Sequence, residues 1–183
     1  MKTPTVRTRK GRTLAMLACA VLPVAGVGAL SVTIPQPVVL WNGTPSEPVG
    51  LYLRSAAKPS LGTIIAFRAP AEAFPYADAR MSYLHHILIL KAVAARQGDR
   101  VCTAAHVLTI NGRWRAPVLN NDSRGVKLPA WQGCRTLAEG EFFVFSDAVP
   151  NSFDSRYYGP VGQGAIVGVY RPVMVVSGAA RAA

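Results

Sequence analysis

The sequence predicts a mainly β, antiparallel domain carried behind a single N-terminal transmembrane helix. Three observations predict it. A basic tail at residues 1–12 is followed by residues 13–34 without one charged side chain. Beyond that run, short apolar stretches of strand length alternate with turns built from Gly, Asn, Asp and Pro. Helical periodicity nearly vanishes from the same region. The 183 residues suffice for one domain with a core plus appendages.

The tail carries Lys2, Arg7, Arg9, Lys10 and Arg12 and no acid. As a helix, the 22 residues that follow span about 33 Å at ~1.5 Å per residue, against a hydrocarbon core of ~30 Å. Pro23 interrupts them, which membrane helices tolerate near their middle. A cleaved secretory signal has the same order of parts, but its apolar region is shorter, about 7–15 residues. A buried soluble helix rarely stays apolar for so long. Cys19 would suit a lipoprotein signal, yet the uncharged stretch between Arg12 and Met16-Leu17-Ala18 is too short for one. An uncleaved signal anchor at 13–34 is therefore expected. The positive-inside rule puts the tail in the cytoplasm and residues 35–183 across the membrane.

The formal net charge is +11, but five of the 20 basic residues sit in the tail. The exported part thus holds 15 basic residues against nine acids, without a long cluster. Nucleic-acid binding calls for a denser stripe, so no nucleic-acid partner is expected. The excess suits a surface close to an anionic bilayer.

Strands are expected at residues 62–67, 87–94, 101–110, 141–145 and 165–170. Gln97-Gly98-Asp99, Asn111-Gly112, Asn120-Asn121-Asp122-Ser123 and Pro150-Asn151-Ser152 separate them as turns. Asn111-Gly112 suits the positive φ angles of a hairpin turn. Residues 69–80, rich in Ala and Pro, read as a surface insertion. Cys102 and Cys134 are the only cysteines outside the apolar segment, and in an oxidising compartment they are expected to pair. Two separate buried thiols are the alternative. His85, His86 and His106 share no ligand spacing with the cysteines, and adjacent histidines on a strand point to opposite faces. No metal and no cofactor are expected.

The chemistry centres on Ser46 and Lys91. Ser46 lies in a turn-rich segment, Asn42-Gly43-Thr44-Pro45-Ser46-Glu47-Pro48-Val49-Gly50, that restrains the backbone around one hydroxyl. Lys91 follows Ile87-Leu88-Ile89-Leu90 and precedes Ala92-Val93-Ala94-Ala95. A lysine can activate a serine only as the neutral amine. Its ordinary pKa near ~10.4 must then fall towards neutrality, on the order of 4 kcal/mol of environmental work, chiefly desolvation. Taken singly, a serine in a proline-rich turn is usually a turn residue, and a lysine after an apolar strand usually snorkels to the surface.

Four segments in order overturn those single-residue readings. They are Asn42 to Tyr52 ending in Gly50-Leu51-Tyr52; Leu61 to Phe67; Lys91 to Val101 with Gly98-Asp99; and Asn151 to Val161 with Ser152-Phe153-Asp154-Ser155-Arg156-Tyr157. Together they resemble the signal peptidase I superfamily of Ser/Lys proteases, and within it the TraF-type conjugal-transfer peptidases. The resemblance implies a signal-peptidase-like antiparallel β domain on one membrane helix. It implies Ser46 as nucleophile and Lys91 as general base, with the Ser46 N–H and the Thr44 hydroxyl as oxyanion donors. It also implies that Ser152 orients the lysine amine, while Asp154 and Arg156 form an ion pair bracing its pocket. Two positions depart from the family pattern. Glu47 stands where Met or another apolar residue is usual, and Ala92 where signal peptidases often have Arg. On a face that meets the bilayer, Glu47 is expected to weaken membrane contact or to recognise a cationic substrate residue.

The function expected on this basis is a membrane-anchored serine endopeptidase of the bacterial inner membrane, with its catalytic domain in the periplasm. Its substrate would be an exported pre-protein, chiefly a conjugative pro-pilin, cut or cyclised beside type IV secretion components. A general signal peptidase I and a catalytically inactive assembly scaffold are the alternatives. The anchor has a direct test. The mature protein should begin near Met1 and resist alkaline extraction from membranes. Protease added outside the inner membrane should digest the domain and spare the tail, whereas a soluble form starting beyond Ile34 would show a cleaved signal.

Overall fold

Two antiparallel sheets make up the architecture seen in the computed structural model, which describes residues 36–176. In chain order the strands are β1 (Val39–Asn42), β2 (Gly50–Ser55), β3 (Ile64–Phe67), β4 (Ile89–Arg96), β5 (Arg100–Ala104), β6 (Val107–Ile110), β7 (Arg113–Pro117), β8 (Gly133–Thr136), β9 (Glu141–Val144), β10 (Val161–Gly162) and β11 (Ile166–Val175). Seven form one sheet in the order β1-β2-β11-β3-β4-β9-β10, and four form the other in the order β7-β6-β5-β8. The expectation of a mainly β, antiparallel domain holds for these residues. The anchor expected at 13–34 lies outside them, and among the described residues no helix is long and apolar enough to cross a membrane.

Alternation along β4 decides what each side chain meets. Ile89, Lys91 and Val93 fall on one face of the strand and Leu90 on the other, and a bulge between Val93 and Ala95 then turns Ala95 away from that face. Ile89 and Val93 pack into a core with Ile65, Phe67, Val144, Val161 and Tyr158. Leu90 joins Tyr52, Ala66 and Tyr170 on the opposite face. In the β3–β4 ladder, Ile65 is the register partner of Lys91, so the lysine projects on the same side as a fully buried isoleucine. A further core of Ala95, Val101, Leu108, Phe143, Phe145 and Tyr157 draws on both sheets.

The segment around Ser46 is the loop of a hairpin. β1 and β2 pair from Val39↔Leu53 to Asn42↔Gly50, which leaves residues 43–49 to bridge the strands. Gly50 is required where the loop re-enters β2. Its φ is +152°, and a Cβ there would fall 2.0 Å from the Met174 carbonyl oxygen of β11, a position closed to any side chain.

Several sequence expectations need correction. Residues 101–110 form two strands, β5 and β6, because Ala105 and His106 both adopt positive φ (49° and 62°) and turn the chain between them. No glycine marks that turn. Residues 69–80 are not a loose surface insertion: they form short helical turns at Ala71–Ala73 and Tyr76–Arg80. Ala73 and Ala77 are fully buried in the core of the large sheet. β1, β2, β7, β8 and β10 were not foreseen as strands. The Asn111-Gly112 turn does connect β6 to β7, with φ of 51° and 76°.

Cys102 and Cys134 face each other across β5 and β8 and are joined by a disulfide. The bond closes a loop 32 residues apart in sequence, and β8 is exposed throughout, so little apolar packing holds it otherwise. Cys102→Ser with Cys134→Ser should lower stability by about 3–4 kcal/mol, the loop-closure term for such a length. Denaturant titration of the oxidised protein and the double variant checks it.

Candidate active site

The loop that carries Ser46 is organised by one side chain, Asn42, at the end of β1. Its Nδ2 donates to the carbonyls of Thr44, Glu47 and Pro48 at 2.9, 2.9 and 3.1 Å. Its Oδ1 accepts from the Thr44 N–H at 3.2 Å and the Thr44 hydroxyl at 3.1 Å. One buried amide thus gathers both ends of the loop. Thr44 Oγ1 lies 3.4 Å from Ser46 Oγ, and Ser46 is half-buried at the cleft. In the free protein the single Thr44 hydroxyl proton faces Asn42. It must rotate away to serve an oxyanion.

Two further contacts fix Ser46 from below, and the sequence motifs did not reveal them. The Ser146 hydroxyl, just after β9, donates to the Ser46 carbonyl at 2.5 Å. Ser146 is itself buried, and its N–H donates to Asp154 Oδ2 at 3.3 Å. Glu47 is the second. It is only 8 % exposed, and its Oε1 accepts from the Ala92 N–H at 2.7 Å. The expectation that Glu47 faces a bilayer or a cationic substrate residue is therefore wrong. The carboxylate turns inward because β4 presents an unpaired backbone N–H there.

That N–H is free for a geometric reason. Val93 bonds through both backbone groups to the β3 side, donating to the Thr63 carbonyl and accepting from the Gly62 N–H. Backbone groups alternate sides along a strand, so the Ala92 N–H points towards β9. The β4–β9 register begins only at Val93↔Val144, and the Glu47 side chain fills the missing place.

Lys91 is 4 % exposed and lies on the core side of β4. Burial pushes its amine down to about 8; the nearby Asp154 and Glu47 carboxylates pull it back up, and the Arg156 guanidinium lowers it again. Glu47 is raised above the usual carboxylate range, mainly by burial, against the Ala92 hydrogen bond and the Lys91 charge.

Asp154 and Arg156 are both completely buried. Arg156 Nε donates to Asp154 Oδ1 at 2.8 Å and Nη2 to Oδ2 at 2.9 Å. Nη1 donates to the carbonyls of Pro117 and Pro150, and Nη2 also to that of Ser152. All five guanidinium N–H groups thereby have acceptors. Phe145 and Tyr157 rings flank the cation at 5.6 and 5.5 Å. Asp154 also caps the one-turn helix Ser155–Tyr158 by accepting from the Arg156 N–H.

These residues meet at a cleft of about 360 Å³. Thr44 and Ser46 line one side, Leu88 to Lys91 another, and Ser152 and Phe153 a third, with Met81, Tyr83 and Leu84 of the helical segment above. Ser152 Oγ is buried and makes no hydrogen bond among the described residues. Every site residue expected from the sequence thus lies at the cleft or directly beneath it, except the Cys102–Cys134 pair, which belongs to the small sheet. Among the described residues no group of three His, Cys, Asp or Glu side chains could hold a metal ion.

Comparison with known proteins shows which family the chain belongs to. The profile of the family described as signal peptidase, peptidase S26, matches residues 11–175. A plasmid transfer protein TraF of Escherichia coli is 33% identical over 144 residues, covering 73% of this chain and 81% of that protein. A conjugal transfer protein TraF of Agrobacterium tumefaciens is 34% identical over 144 residues, covering 72% and 80%. The crystal structure of a signal peptidase I from Enterococcus faecalis is 29% identical, covers 63% of this chain and 98% of its own, and superposes with a TM-score of 0.39.

The ion pair yields the prediction of this site. Arg156→Met strands Asp154 as a buried, uncompensated charge and should cost about 3–5 kcal/mol. Asp154→Asn combined with Arg156→Met should recover part of that loss, since the pair then leaves together. Urea unfolding of the two variants decides between them.

Proposed function

The chain is a TraF-type protein that belongs to the signal peptidase, peptidase S26, family, and on that premise we propose that it is a serine endopeptidase with a Ser46/Lys91 dyad. One observation carries the reading. A lysine amine nearly sealed from solvent and brought to about 8 shares a cleft with a half-buried serine. A lysine in that state holds a substantial neutral fraction near physiological pH and can accept a proton.

In this mechanism Ser46 Oγ attacks the scissile carbonyl carbon and its proton passes to Lys91 Nζ. The tetrahedral oxyanion is held by the Ser46 N–H and by the Thr44 hydroxyl, which exchanges Asn42 for the substrate oxygen. Collapse breaks the peptide bond, and the Lys91 ammonium returns its proton to the leaving amine. Water, deprotonated by Lys91, then attacks the acyl carbon, and the Lys91 ammonium returns that proton to Ser46 Oγ as the acyl group leaves. The buried Ser152 hydroxyl supplies a partner for the lysine amine during these transfers, and the Asp154–Arg156 pair holds the Ser152 carbonyl in place.

We further propose that the substrate is an exported pre-protein, chiefly a conjugative pro-pilin, processed at the periplasmic side of the inner membrane. The plasmid and conjugal transfer names of the relatives support this, as does the basic tail ahead of an apolar segment. Among the described residues β1 is an edge strand that pairs only with β2, and its other side suits an extended peptide added as a strand.

Co-expression with a candidate pro-pilin, followed by mass spectrometry of the product, tests the reading. Lys91→Arg should leave less than about 1% of the wild-type rate, because a guanidinium stays charged. The sign of the pH dependence follows from the lowered amine: protonated Lys91 is inactive, so kcat/KM should climb as pH rises through about 8. A rate independent of pH from 6 to 9 would exclude Lys91 as the base.

A further inference from the structure

We propose that Glu47 is a positioning residue that ties the nucleophile loop to the base strand and sets the pH at which Lys91 becomes neutral. The inference rests on the dyad reading above. Glu47 is the residue after Ser46, and its carboxylate accepts from the N–H of the residue after Lys91 at 2.7 Å. A single hydrogen bond therefore links the peptides adjacent to nucleophile and base across a sequence gap of 45 residues. No strand provides this connection. β1 and β4 are separated by β2, β11 and β3 in the sheet.

The carboxylate is buried, and a buried carboxylate retained without a charge partner is unfavourable. Here the charge lies near the Lys91 amine, which draws Glu47 down as Glu47 draws Lys91 up. The groups acting on the two are few. Lys91 faces Asp154, Glu47 and Arg156; Glu47 faces Lys91 and Asp147. The Tyr52 phenol, pushed up to about 12 by burial and by Glu47, stays neutral and donates to the Pro48 carbonyl at 2.7 Å. Asp154 is held by Arg156 through two hydrogen bonds, whereas among the described residues the Glu47 carboxylate has only the Ala92 N–H as a hydrogen-bond partner besides its neighbouring charge. Glu47 is thus the carboxylate whose charge can be removed without dismantling the buried ion pair.

Two substitutions separate the two roles. Glu47→Gln keeps an oxygen for the Ala92 N–H and removes the charge; Glu47→Met removes both at similar volume. Full-length protein labelled at the lysine ε-carbons reports Lys91 directly by NMR titration in detergent micelles. The chain has five lysines, and Lys91→Arg identifies the resonance. In both variants the Lys91 midpoint should move to lower pH, because an opposing negative charge has gone. In turnover, the rising limb of kcat/KM should shift the same way. Glu47→Met should additionally lose about tenfold in kcat with little change in KM, a loss that Glu47→Gln rescues. A Lys91 midpoint unchanged in Glu47→Gln overturns the electrostatic role, and equal kcat in Glu47→Met and Glu47→Gln overturns the positioning role. The titration needs no substrate. A shifted midpoint in a protein that cleaves nothing would leave the electrostatic role standing, and would sink the peptidase reading and the positioning role with it.

Discussion

The site hangs from the buried Asp154–Arg156 ion pair. Arg156 gathers carbonyls from Pro117 at the end of β7 and from Pro150 and Ser152 in one turn, two segments not joined to each other by a strand ladder. Charges so deep are tolerated only when each donor and acceptor is satisfied, and here all five guanidinium N–H groups are. From Asp154 the connection continues outward. Its second oxygen accepts from the Ser146 N–H, and the Ser146 hydroxyl donates to the Ser46 carbonyl. Two hydrogen bonds therefore separate the Ser46 backbone from the most buried charge in the described domain. A loop residue becomes as well defined as a core residue by this route.

Lys91 depends on the same pair in a second way. Its position on the core face of β4, between Ile89 and Val93, removes water and drives the amine towards neutrality. Asp154 and Glu47 oppose that, and Arg156 opposes Asp154. The outcome near 8 is a balance of desolvation against one partly neutralised carboxylate and one peripheral carboxylate. Desolvation alone would hold the amine neutral over a wide pH range. Two unopposed carboxylates would keep it charged. The division between sheets is clear: Ser46, Lys91 and the residues that hold them lie on or beside the large sheet, and the disulfide ties β5 to β8 in the small one.

Much of this was legible in the chain. The apolar flanks of Lys91 signalled a desolvated amine, because a strand places every second residue on one face and both neighbours on that face are aliphatic. Asn111-Gly112 announced its hairpin through residues that accept positive φ. The cysteine pair required only an oxidising compartment and the right register. Other features left weaker marks. Ala105-His106 turn the chain without a glycine, so residues 101–110 read as one strand. Residues 69–80, rich in Ala and Pro, read as a surface insertion, yet Ala73 and Ala77 are buried, and alanine carries little signal. Exposed β8 has no alternation to read.

The order of the four motifs and the alternation along β4 were determined by the sequence alone, since both depend on local chemistry and spacing. Which residues complete the site was decided by tertiary structure. Ser146 is one serine among many until β9 ends beneath the Ser46 carbonyl. Glu47 reads as a surface acid until the β4–β9 register starts at Val93 and leaves the Ala92 N–H without a strand partner. A backbone donor left over by a sheet register cannot be seen in a linear chain. Burial of that donor makes a carboxylate favourable there, and only the packed fold creates both conditions at once.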